Sequence, residues 1–175
     1  MNNWMIQKQS TRLSIKPADL GKDQLSGAPV AFLTGSVEYK FTPAQQNELK
    51  KFVAGGGTLV IDSAGGNSAF ATSIEAALAE MYPNNKLAVL PANHPLFTAG
   101  GGAVDEIRYR DFAVHSGIGH DTAPRLQGIT LDGRLAVIYS REDLSEGLVG
   151  QPIDGINGYT PTTATSLMTR VLTYA

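Results

Sequence analysis

The strongest constraint on the fold lies between Thr42 and Asp62, where a helix with both ends marked runs straight into an apolar strand. Thr42 supplies an N-cap hydroxyl, Pro43 suits the first helical position, and Gln45 stands three residues after the cap, where its amide can return a hydrogen bond. Leu49, Phe52 and Val53 share one helical face, while Lys50 and Lys51 lie in the last turns, where the helix dipole favours cations. Gly55-Gly56-Gly57 stops the helix, because glycine tolerates the left-handed conformation that closes a helix end. Thr58-Leu59-Val60-Ile61 then reads as a buried strand, and Asp62-Ser63-Ala64-Gly65-Gly66 as the turn that leaves it.

The same alternation extends on both sides. Leu13 and Ile15 read as a short strand, and Pro29-Val30-Ala31-Phe32-Leu33 as a central parallel strand covered on both faces and ended by Thr34-Gly35. After the glycine turn, Ser68 caps a second helix with Phe70, Ile74, Ala77, Leu78 and Met81 on one stripe, and Pro83 ends it. Leu87 to Leu90 reads as a strand and Pro91 to Pro95 as an extended loop, since a residue before proline is pushed out of the helical region. Gly100-Gly101-Gly102 is a break, and strand-like pieces follow around Ile107-Arg108-Tyr109 and Phe112-Ala113-Val114. Leu126 to Leu131 and Leu135 to Tyr139 flank Asp132-Gly133, the signature of a type I′ hairpin turn. Residues 141 to 160 show no period, which in a compact domain marks a functional or mobile segment. Thr160-Pro161 opens a last helix with a stripe of Ala164, Leu167, Met168, Val171 and Leu172. Apolar strands alternating with amphipathic helices, then a hairpin, predict an α/β domain spanning 1–175, a length that suits one core.

Charge and composition remove several functions. Lys and Arg number 14 against 16 Asp and Glu, so no summed positive field favours nucleic acid as the main partner. No apolar run approaches the roughly 20 residues that cross a bilayer, and Met1 to Ser10 lacks the apolar centre of a signal peptide. The chain reads as soluble, with a longer precursor left open. With 0 cysteines there is no disulfide, no thiolate metal ligand and no thiol nucleophile. The glycine runs lack the spacing of phosphate loops, and no Gly-Lys-Ser/Thr follows any of them, so no cofactor is indicated.

In an open α/β sheet, ligands bind outside the carboxyl ends of the strands. That rule selects Thr34, Gly35, Asp62, Ser63, Gly65, His94, Ser140 and Asp143, with Arg134 as a donor fork for a substrate anion. Ser63 falls at a strand-to-helix turn of the kind that presents a nucleophile, with His94, His115 and His120 as candidate bases. The plainer alternative is that Ser63 and the glycines only make the turn while Asp62 accepts backbone N–H bonds. His115, His120 and Asp121 match no helix-borne zinc spacing, and no metal site is expected.

The sequences Gly55-Gly56-Gly57-Thr58-Leu59-Val60-Ile61-Asp62, His94-Pro95-Leu96-Phe97, Asp132 through Leu144 and Val171-Leu172-Thr173-Tyr174-Ala175 resemble a bacterial family of unknown function with a class I glutamine-amidotransferase-like fold. The resemblance implies a flavodoxin-like three-layer sandwich with a mostly parallel sheet and an antiparallel hairpin near the C-terminal end. It also implies a protein partner or a neighbouring domain of a membrane-associated assembly, in the periplasm or cytoplasm of a bacterium. Active amidotransferases carry a cysteine where this chain has Ser63, or Asp62 in a register one residue away. Glutamine hydrolysis by a thiol is excluded. The expectation is a non-catalytic ligand-binding or protein-interaction module, with a hydrolase of a small polar or sugar-like substrate, using Ser63 or Asp62 with His94 as base, as the alternative.

Overall fold

The computed structural model describes residues 12–98, 107–119, 124–151 and 153–175. Gly100 to Gly102, Asp105, Glu106, His120 and Asp121 lie outside the described residues.

The strands are β1 (Val30–Gly35), β2 (Thr58–Ser63), β3 (Ala88–Val89), β4 (Gln127–Leu131) and β5 (Arg134–Ser140). The helices are α1 (Pro43–Ala54), α2 (Ser68–Met81), α3 (Pro95–Thr98), α4 (Asp111–His115), α5 (Ser145–Val149) and α6 (Pro161–Tyr174). The sheet order is β1-β2-β5-β4-β3. β1, β2 and β5 pair in parallel, while β4 is antiparallel to both β5 and β3, so only β4 runs against the rest. The result is an open mixed sheet, mostly parallel in direction.

Local chemistry sets the first half. Thr42 and Gln45 form the reciprocal capping box, and Gly56 after α1 adopts φ 97°, which glycine alone takes without strain. β2 lies at the centre of the parallel strands and all six of its residues are buried. Its side chains alternate between two cores: Leu59 and Ile61 join Leu49, Val53, Ile74 and Leu78 of α1 and α2, whereas Val60 joins Leu167, Met168 and Val171 of α6. On β5 this alternation slips by one residue. Ile129 faces Val137 but Thr130 faces Leu135, so Ala136 is the extra residue of a bulge and Leu135 turns to the α6 side. Asp132 (φ 50°) and Gly133 (φ 79°) make the tight turn that joins the two strands.

Several expectations change. Leu13 and Ile15 form no strand: no described strand pairs with them, and Ile15 is 78% exposed. The cap of α2 is Asn67 rather than Ser68, its side chain accepting from the N–H groups of Ala69 and Phe70. The strand expected over Leu87 to Leu90 shortens to two residues, and the expected loop at Pro95 becomes α3. Phe112, Ala113 and Val114 belong to α4, and Ile107 to Tyr109 contributes only a bridge from Tyr109 to Tyr159. Alternating apolar residues satisfy a one-turn helix or a strand equally well over so few positions; packing decides between them. The segment 141 to 160 contains α5, whose Gly147 sits so near α6 that a Cβ would stand 2.4 Å from the Ala164 Cβ.

Candidate functional site

The chain leaves β2 toward α2 on one face of the sheet and leaves β5 toward α5 and α6 on the other. Adjacent parallel strands whose connections part to opposite faces open a crevice at their carboxyl ends, the general ligand position of α/β sheets. Register places Thr34 beside Asp62, Gly35 beside Ser63, and Asp62 beside Ser140 across β1, β2 and β5. Asp143 follows three residues after β5.

Both carboxylates are fully buried. Asp62 Oδ2 accepts from the N–H groups of Leu144 (3.0 Å) and Ser145 (2.8 Å). Asp143 Oδ1 accepts from Gly65 (2.9 Å) and Glu146 (3.1 Å), and its Oδ2 from Gly147 (3.0 Å). The chain has filled its own crevice: backbone N–H groups of the 144–147 segment stand where a ligand would meet the acids. Residues 157 and 158 close the other side. Asn157 N–H donates to the Gly65 carbonyl, and a Cβ on Gly66 would stand 2.1 Å from the Asn157 carbonyl oxygen.

Asp62 Oδ1 has no hydrogen-bond partner although it is buried. Burial is the largest influence on this carboxyl and pushes its pKa up; the N–H groups of Ser145 and Leu144 and the Thr34 hydroxyl pull it down, and the Asp143 charge adds to the rise, which prevails. At the mouth the Thr34 and Ser145 hydroxyls lie 3.2 Å apart. Gly65 (φ 67°) faces open space, whereas Gly35 is packed by the Phe70 ring, 2.3 Å from where a Cβ would stand.

Ser63 is buried in ordinary extended backbone (φ −88°, ψ 106°), and its hydroxyl donates to the Asn67 carbonyl at 2.7 Å. Ser140 donates likewise to the Glu142 carbonyl at 2.6 Å. Among the described residues, no histidine hydrogen-bonds to Ser63 or Asp62. His94 follows β3, three strand positions from β2, which is roughly 14 Å across a sheet. Its Nδ1 accepts the Leu96 N–H (3.1 Å), its ring packs 5.6 Å from that of Tyr174, and burial lowers its pKa. His115 bonds the Asp111 carbonyl within α4. Arg134 is not part of this end of the sheet. It begins β5, and its Nη2 and Nη1 donate to the Val53 carbonyl (2.8 Å) and Thr58 Oγ1 (3.3 Å), tying α1 to the amino end of β2.

Two buried acids escaped the sequence reading. Glu142 accepts from Arg125 Nε at 2.7 Å, and its Oε2 is buried without a partner. Glu48, on the inner face of α1, accepts from Gly21 N–H and, at 3.1 Å, from Leu25 N–H; burial pushes its pKa up, but the backbone donors outweigh that and lower it. The available signal at Glu142 was a charged triplet, Arg141-Glu142-Asp143, directly after an apolar strand.

The fold and this self-filled crevice define a single-sheet α/β domain with paired buried acids at its carboxyl edge. Over residues 3–175 the chain matches, and belongs to, the family described as Domain of unknown function (DUF4159). No curated protein matches it.

Proposed function

We propose that this domain is a non-catalytic ligand-binding or protein-interaction module on a glutamine-amidotransferase-like scaffold of the flavodoxin-like, three-layer kind. One observation carries the reading: the polar groups at the carboxyl end of β2 are engaged by the protein's own backbone, with Asp62 on Leu144 and Ser145 and Ser63 on Asn67. A nucleophile needs a base within hydrogen-bond reach, and Ser63 has a carbonyl there instead. The two cores on opposite sheet faces support the three-layer arrangement, and the absence of cysteine supports loss of the scaffold's usual chemistry. The binding surface is the mouth formed by Thr34, Gly65 and Ser145. Its partner is a neighbouring domain or protein of a bacterial membrane-associated assembly. No described helix is long and apolar enough to cross a membrane.

The hydrolase reading retains one supporting observation, the unpartnered Asp62 Oδ1 on a carboxyl whose pKa is raised, as a general acid requires. Chromogenic esters and glycosides distinguish the two. No turnover above that of heat-unfolded protein is expected, and turnover that disappears in both Ser63→Ala and Asp62→Asn would establish the enzyme instead. The binding half is tested by thermal shift against polyols, sugars and peptides. A stabilising ligand whose effect survives Thr34→Val and Ser145→Ala removes the mouth from the proposal.

A further inference from the structure

Asp62 and Asp143 present four carboxyl oxygens at the carboxyl end of the sheet. Leu144 and Ser145 N–H groups bind Asp62 Oδ2, and those of Gly65, Glu146 and Gly147 bind the two oxygens of Asp143. Asp62 Oδ1 alone is left over, buried and without a donor. An unmet buried acceptor is costly, so this atom marks a place that a donor from outside would fill. The protein's own cations are engaged elsewhere. Arg110 donates to the carbonyls of Gln151 and Ile153 (both 3.2 Å) and reaches that of Glu146 (3.5 Å), Arg125 binds Glu142, and Arg141 binds Glu75. Asp143, the charge that acts on Asp62, has the same sign.

Two more acceptors stand in front of this oxygen. Thr34 is the register partner of Asp62, so both side chains leave the same face of the sheet, and its hydroxyl lies 3.2 Å from that of Ser145. The Thr34 hydroxyl favours the ionised Asp62 carboxyl, yet it makes no hydrogen bond to Oδ1. Phe32, two residues before Thr34 on that face and 46% exposed, adds an apolar wall roughly 6.6 Å along the strand. Three acceptors, an excess of negative charge and one apolar wall together fit a single kind of group. Resting on the reading of this mouth as the binding surface, we propose that it receives a lysine side chain of the partner: the ammonium parts the two hydroxyls and donates to Asp62 Oδ1, Thr34 Oγ1 and Ser145 Oγ, and the four-carbon stem lies along Phe32. A primary ammonium carries three donors and no acceptor, which matches the acceptor set, whereas a phosphate or carboxylate would meet like charge with no donor to hold it.

Titration with Nα-acetyl-lysinamide, followed by the amide NMR signals of Leu144 and Ser145, tests the assignment. Saturation with a Kd of about 1 mM is expected, and sodium chloride at equal concentration leaves the signals in place. Burial raises the Asp62 pKa and an ammonium favours its ionised form, so binding releases a proton. Affinity therefore rises with pH, by up to about tenfold per unit while Asp62 is protonated in the free protein. Asp62→Asn removes that dependence. Thr34→Val and Ser145→Ala each weaken binding about tenfold, and Phe32→Ala weakens acetyl-lysinamide but not methylammonium. Equal shifts with sodium chloride, an affinity independent of pH, or methylammonium bound as tightly as acetyl-lysinamide overturns the proposal. Glycerol that moves these signals where the amines do not also overturns it, but leaves the mouth as a binding surface. Amine binding that survives both Thr34→Val and Ser145→Ala removes the mouth as well.

Discussion

Asp62 and Asp143 divide four consecutive backbone N–H groups between them: Asp62 takes those of Leu144 and Ser145, and Asp143 those of Glu146 and Gly147. The first turn of a helix has no internal acceptors for these groups. Two acids from the ends of adjacent strands therefore stand in for a cap, and they dock α5 over the crevice.

Asp143 also takes the Gly65 N–H, so it links β5, α5 and the turn after β2. Asp143→Ala strands three backbone donors and is expected to cost about 3–5 kcal/mol. Ser63→Ala loses one donor to a carbonyl and should cost about 1 kcal/mol. Urea denaturation measures both; equal losses would mean that Asp143 is not the centre of the linkage.

Stability should carry two opposite pH slopes. Asp62 holds its proton more tightly folded than unfolded, so its contribution is complete below about pH 3.8 and is lost as pH rises through the raised native value. Glu48 is lowered by folding, so its contribution is present above about pH 4.5 and is lost as pH falls through the native value. Asp62→Asn should remove the first slope and Glu48→Gln the second in urea midpoints followed across pH. An unchanged profile in Asp62→Asn would show that this carboxyl is not raised.

Gly65 and Gly66 have nearly the same backbone, φ 67° and 66°, but different surroundings. Gly65→Ala meets open space and should cost only the left-handed strain, about 1 kcal/mol. Gly66→Ala drives a methyl into the Asn157 carbonyl, and about 3 kcal/mol or more is expected. Thermal denaturation separates the two, and equal losses would show that 157–158 can move aside.

Arg125 partners the buried Glu142 while remaining about half exposed itself. Arg125→Ala leaves a buried carboxylate without its cation and should cost about 2 kcal/mol, reduced from a fully buried pair by the solvent access of the arginine. Adding Glu142→Gln should recover part of that loss in a double-mutant cycle. A double variant no better than additive would show that the pair is uncoupled.

Elements whose signals are local were legible in advance. The capping box at Thr42 and Gln45, the left-handed glycine after α1 and the Asp132-Gly133 turn each rest on residues a few positions apart. Short alternating runs were not. Leu13 with Ile15 and Phe112 with Val114 have similar patterns, yet one pair lies in coil and the other in a helix, because over so few positions tertiary packing and not alternation selects the conformation. The bulge at Ala136 likewise depends on which core needs Leu135.

By itself, the sequence determined an α/β chain with acids and small polar residues at its strand ends and no thiol to react there. Only the tertiary structure decided what those acids do. Asp62 and Asp143 are 81 positions apart in the chain, and nothing local indicates that both end on the same four amides. Register across β2 and β5 puts them together, and burial then demands partners for each, which the 144–147 backbone supplies.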